Sequence, residues 1–152
     1  MLPFRRIFHP TDFSAADRAA FAHAVKLTCL AQGELTMMHV DPTIERKDFE
    51  DFPRIRPLLA RWGVLPEGSS KEDVRELGVQ IKRVRAVADH ATGAILQQLM
   101  AHPTELLVLS THQREGLARL THHGVAEPLA RGAHARTLFV PAGVEGFVSA
   151  ET

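Results

Sequence analysis

Apolar positions along the chain alternate between short continuous runs and stripes spaced three and four apart, the signature of strands exchanging with helices. Phe4 with Ile7-Phe8 makes a brief first strand ending at His9-Pro10, where proline's missing donor favours an edge or a turn. A helix follows from Ser14, which with Asp17 has the spacing of a capping box; its buried stripe is Phe21, Ala24, Val25 and Thr28, and Gly33 is expected to supply the left-handed stop. Leu35 to Val40 is apolar on both faces, as a strand covered by helices on both sides should be. Prolines then interrupt the signal up to Ser70, leaving a short helix through Ile55, Leu58, Leu59 and Trp62, with Pro57 in its first turn and Gly63 as its stop.

Ser70 with Asp73 caps another turn through Leu77, and Val79-Gln80-Ile81-Lys82 starts a strand that runs to about Val87. Ala94-Ile95-Leu96 and Leu99-Met100 form a helix face ending at His102-Pro103, and Leu106 to Leu109 is a fully buried strand. Val125, Leu129 and Ala130 mark a last helix closed by Gly132, before the strand Thr137-Leu138-Phe139-Val140. Strands alternating with helices imply right-handed crossovers and a doubly wound α/β parallel sheet with helices on both faces. Such sheets bind ligands beyond the carboxyl ends of their strands, where the strand order reverses. The turns His9 to Phe13 and Ser110 to Gln113 are therefore the expected functional loops.

The length of 152 residues suits one domain, expected over residues 1–142 with a tail at 143–152. Eighteen Lys and Arg balance eighteen Asp and Glu, so no broad basic surface is on offer to a nucleic acid. No apolar run is long enough to cross a membrane, the start lacks a signal-peptide pattern, and the single Cys29 has no disulfide partner in the chain; a cytoplasmic protein is expected.

At the two loops the chain resembles the universal stress protein family. Ile7-Phe8-His9-Pro10-Thr11-Asp12-Phe13-Ser14 is similar to its opening strand and turn, and Met37-Met38-His39-Val40 to its second strand. Leu106 to Leu117 resembles the fourth strand and its loop, and Gly124-Val125-Ala126-Glu127 the start of the last helix. The resemblance implies a five-stranded parallel sheet of order 3-2-1-4-5, adenine-nucleotide alpha-hydrolase-like, a role in stress tolerance, and a homodimer through the fifth strand, Thr137, Leu138, Phe139 and Val140. Some members bind ATP; these carry Gly-x-x-Gly, nine residues, then Gly-Ser or Gly-Thr. Close backbone approach to phosphate explains the glycines. Here Ser110 and Gln113 stand at the first two, and His123 then Gly124 at the Gly-Ser step, while Pro128 removes a donor from the following helix. Asp12 and Val40 match the positions that hold the base. The degenerate nucleotide site is accordingly Pro10, Thr11, Asp12, Val40, Ser110, Thr111, His112, Gln113, His123, Gly124 and Val125.

Asp12 either accepts from a ligand amine or caps the first helix with Ser14; a phosphoacceptor role would want a lysine after the last strand, where Val140-Pro141-Ala142 has none. His112, His122 and His123 invite a metal, but neighbouring histidines without a supporting Cys or carboxylate spacing favour exposed loop residues, and no metal is expected. Cys29 reads as an inert core thiol. The expectation is a non-enzymatic stress-response homodimer without a cofactor, binding ATP or AMP weakly at most, with an unidentified protein as a further partner. The alternative is a protein that binds or slowly hydrolyses ATP in the same pocket.

Overall fold

The structure is a computed structural model that describes residues 2–42, 50–111 and 126–143. Its strands are β1 (Arg6–Pro10), β2 (Glu34–Asp41), β3 (Gln80–Val87), β4 (Leu106–Thr111) and β5 (Arg136–Pro141). They form one sheet of order β3-β2-β1-β4-β5 with every neighbouring pair parallel. The helices described are α1 (Arg18–Ala31), α2 (Ile55–Arg61), α3 (Lys71–Glu76), α4 (Ala91–Ala101) and α5 (Ala126–Gly132). Alternate strand residues feed two cores. Ile7, Leu35, Met37 and Val108 pack with Phe21 and Val25 of α1, Leu58 and Leu59 of α2 and Val74 of α3. Phe8, Met38, Leu107 and Leu109 pack on the other face with Ile95 and Leu99 of α4 and Leu129 of α5. The doubly wound expectation and the strand order implied by the resemblance both hold.

Five local expectations meet different fates. The Ser70–Asp73 box forms, with Asp73 N donating to Ser70 Oγ at 3.2 Å and Ser70 N to Asp73 Oδ2 at 2.8 Å. The Ser14–Asp17 box does not: Ser14 makes no side-chain cap, and a 3-10 turn over Ala15–Asp17 precedes α1. Asp17 is drawn inward instead, because its carboxylate accepts from Thr11 Oγ1 at 2.9 Å and Asp12 N at 2.8 Å. Gly63 stops α2 with φ +71° as expected. At the end of α1, however, the left-handed residue is Gln32, at φ 49°, and not Gly33. Gly33 is needed for space, since a Cβ there would lie 2.1 Å from the Arg5 carbonyl oxygen. Gly132 likewise closes on Leu96 rather than turning the chain, and the positive φ belongs to His134.

Gly33→Ala should therefore cost about 1–3 kcal/mol through overpacking. Gly93→Ala, in α4 with nothing within 4 Å of its added Cβ, should gain up to about 1 kcal/mol from helix propensity. Urea midpoints of the two variants check the contrast; equal midpoints would remove the steric role assigned to Gly33.

Candidate functional site at the switch point

The strand order reverses at β1, which pairs with β2 on one side and β4 on the other. Pro10 is the last residue of this central strand, where a missing N–H would normally leave a ladder acceptor bare. Thr11 N donates to Met38 O at 2.9 Å, so odd-numbered amides face β2 and the donor lost at Pro10 would have faced β4. His9 replaces it: its Nδ1–H donates to the Val108 carbonyl at 3.0 Å. The β1–β4 pairing ends at Phe8 with Leu107, whereas β1–β2 continues to Pro10 with Met38. It is at such a point, beyond the carboxyl ends of the central strands, that a doubly wound sheet offers a crevice to a ligand.

His9 is completely buried, and its Nε2 has no hydrogen-bond partner among the described residues. Burial holds its pKa below the usual histidine value, against the opposing influence of the nearby Asp17 carboxylate. Asp17 is buried too; desolvation pushes its carboxyl above the usual aspartate range, His9 pulls it down, and the Asp12 carboxyl adds to the rise. The sequence alone marks Asp17 as a helix cap and His9 as the strand end that opens an expected functional loop. Both histidine and carboxylate at the mouth of the first turn were visible in the sequence; that they point inward was not.

A second group of side chains braces the β2 and β3 side. Phe13 takes a left-handed backbone, φ 65°, and stacks on His39 with ring centroids 3.8 Å apart. His39 Nδ1 donates to Thr11 O at 2.7 Å, and its Nε2 lies 2.9 Å from Asp41 Oδ1. Both partners accept, so the ring makes both bonds together only when doubly protonated. Arg85 Nε donates to Asp41 Oδ2 at 2.8 Å, and its guanidinium carbon sits 5.4 Å from the Phe13 centroid. The Asp41 carboxyl is desolvated, yet the bonds from Arg85 and His39 outweigh that and hold its pKa below the usual range. The register pairs His39 with Arg85, a strand-to-strand link that only the sheet order makes readable.

The expected site residues divide into those brought together and those lying outside the described residues. Thr11 is buried, its hydroxyl donating to Asp17 and accepting from Phe13 N at 3.1 Å. Asp12 Oδ1 accepts from Ser14 N at 2.8 Å, a local turn ahead of the 3-10 segment that caps no N–H of that segment or of α1. Val40 packs into the α4 side core. Ser110 Oγ donates to Ala16 O at 3.1 Å, tying the end of β4 to the 3-10 turn, and Thr111 Oγ1 is buried without a partner among the described residues. His112, Gln113, His122, His123, Gly124 and Val125 lie outside the described residues. Among the described residues no group of three or more His, Cys, Asp or Glu is placed to hold a metal. Cys29 packs beside the α1 side core, and burial pushes its thiol up, away from thiolate chemistry.

The strand order and the helices on both faces define a doubly wound α/β domain with its switch point at β1. The profile of the universal stress protein family matches residues 3–141, and the chain belongs to that family. Among solved structures, a universal stress protein in complex with cAMP superposes with a TM-score of 0.61 at 16% identity, covering 92% of this chain and 98% of that one. UspA from Lactobacillus plantarum gives 0.61 at 19% identity, covering 92% and 99%. A universal stress protein from Archaeoglobus fulgidus in complex with dAMP gives 0.54 at 16% identity, covering 91% and 98%. Among curated proteins none matches the chain. No helix among the described residues is long and apolar enough to cross a membrane.

A buried neutral His9 makes stability fall with acid: the unfolded chain takes up a proton below about pH 6.5 that the folded chain refuses. The raised Asp17 works in the opposite sense, its ionisation cost being relieved as pH falls through its elevated pKa. Nuclear magnetic resonance of the His9 ring should show a midpoint below that of free histidine, and lower still in Asp17→Asn, which keeps an acceptor oxygen but removes the charge favouring imidazolium. A His9 midpoint above 6.5 would contradict the assignment.

Proposed function

We propose that this universal stress protein is a non-enzymatic, cytoplasmic, homodimeric regulator of the stress response with weak or absent ATP binding. The observation that carries the reading is the Ser110 side chain at the position of the first phosphate-loop glycine. Its hydroxyl is bonded to Ala16 O, so the end of β4 is tied to the turn before α1 at the point where nucleotide-binding relatives keep the backbone bare. Gln113 and His123 add side chains at the two other close-approach positions. An adenine nucleotide held weakly at Asp12 and Val40 is the second reading; the end of the β1–β4 pairing at Phe8 and Leu107 favours it, and so does the presence of cAMP and dAMP in related structures.

The contrast between the two sheet edges supports a dimer through β5. The β3 edge carries Lys82, Arg83 and Arg85, charges that resist pairing with another copy. On the opposite edge Phe139 of β5 is 45% exposed and Leu138 half-buried. An apolar sheet edge of this kind is normally covered, and a two-fold contact with its own copy covers it at once.

Calorimetry with Mg-ATP at neutral pH should give no micromolar binding, and Gln113→Gly with His123→Gly should create affinity. Micromolar binding by the unaltered chain would favour the nucleotide reading instead. Sedimentation of Phe139→Lys should show monomers where the parent is dimeric; an unchanged dimer would locate the interface elsewhere.

A further inference from the structure

On the α1 and α2 side of the molecule, a cleft of about 500 Å³ opens between the turn after β1, the start of α1 and helix α2. We propose that it binds a small organic anion: an aromatic or alkyl body bearing one phosphate or carboxylate group. Three arginines from separate parts of the chain line it, namely Arg18 at the first position of α1, Arg54 just before α2 and Arg61 at its end. Among the described residues none of the three is paired with a carboxylate, although Arg6, Arg75, Arg85 and Arg131 all are. Three unpaired guanidinium groups gathered on one concavity repel one another unless an anion joins them.

The two acids on the same lining do not cancel this charge, because both are engaged elsewhere. Asp17 is bonded to Thr11 and Asp12, and Asp51 Oδ2 lies 3.7 Å from Arg85 Nη2. Phe13, Phe21 and Leu58 supply an apolar wall, while the Ser14 hydroxyl caps no helix and stands at the rim as a donor. Planar guanidinium forks bind phosphate and carboxylate oxygens in pairs, and a cleft of this size lies within the usual range for a small ligand. The apolar wall beside the arginines selects an anion with a hydrophobic body over a bare ion. The cleft shares Thr11 with the expected nucleotide site, but Val40 and Ser110 do not line it.

The test is titration of the full chain with phenyl phosphate, followed by backbone amide shifts, with inorganic phosphate and benzoate as separate arms. Saturable shifts at Phe13, Ser14, Arg54 and Arg61 are expected, with phenyl phosphate tighter than inorganic phosphate; benzoate against phenyl phosphate identifies the preferred head group. Arg54→Gln with Arg61→Gln should weaken binding about tenfold or more at an unchanged melting temperature, because both side chains are exposed. If that pair melts lower, Arg18→Gln, also exposed, carries the comparison. No saturation at millimolar ligand in any arm, unchanged affinity in the variants, or shifts confined to Val40 and Ser110 would overturn the proposal.

Discussion

The hydrogen bond from the His9 imidazole to the Val108 carbonyl is the constraint around which this molecule is arranged. A central strand that ends in proline lacks a donor toward one neighbour, and an unmet buried carbonyl costs about 1–3 kcal/mol. Supplying the donor from a side chain keeps β1 and β4 together while their main chains stop pairing after Phe8 and Leu107. The crevice and the cohesion of the sheet therefore come from the same substitution of a ring for an amide. The accompanying cost is a desolvated imidazole, its pKa held down by burial although the nearby Asp17 carboxylate opposes the shift. Asp17 in turn holds Thr11 and Asp12, so the conformation of the first turn follows from the proline that precedes it.

The left-handed Phe13 is the second consequence. A bulky residue in that region costs roughly 1–2 kcal/mol, and it persists because the ring is held on three sides. His39 stacks beneath it, Phe52 meets it edge-on at 5.0 Å between centroids, and Arg85 approaches its face. The bonds of His39 and Arg85 to Asp41 fix that support to β2 and β3, so the β1 turn is braced from the strand ends on one side and by Asp17 on the other.

The sequence made the framework legible because each strand and helix carries its own periodicity: Leu106 to Leu109 is buried throughout, and Phe21, Ala24, Val25 and Thr28 form the inner stripe of α1. Local chemistry was readable only where it stayed local. Ser70 and Asp73 cap each other because nothing else competes for them, whereas Asp17 has the same spacing from Ser14 but finds better donors in Thr11 and Asp12. Gly33 was assigned to the right place for the wrong reason, since the approach of Arg5 from another strand is invisible to a local rule. The Arg85 pairing with Asp41 and the convergence of Arg18, Arg54 and Arg61 depend on which strands and helices become neighbours, so the candidate anion cleft left no motif in the chain.

The polar groups around the first turn are largely bonded within the protein: Thr11 donates to Asp17, the exposed Asp12 accepts from Ser14 N, and Ser110 reaches Ala16. The Thr11 and Ser110 hydroxyls already spend their single O–H donors within the protein, so neither has a proton to give a nucleotide oxygen unless that bond breaks. Arg18, Arg54 and Arg61 are in the opposite condition, exposed, without a carboxylate partner among the described residues, and concentrated in a chain whose formal charge is zero. A neutral protein attracts anions only through such local asymmetry, and here the asymmetry lies beside the crevice rather than in it. An anion held in the proposed cleft would therefore leave the sheet unaltered, its recognition resting on the first turn and on the helices that border the switch point.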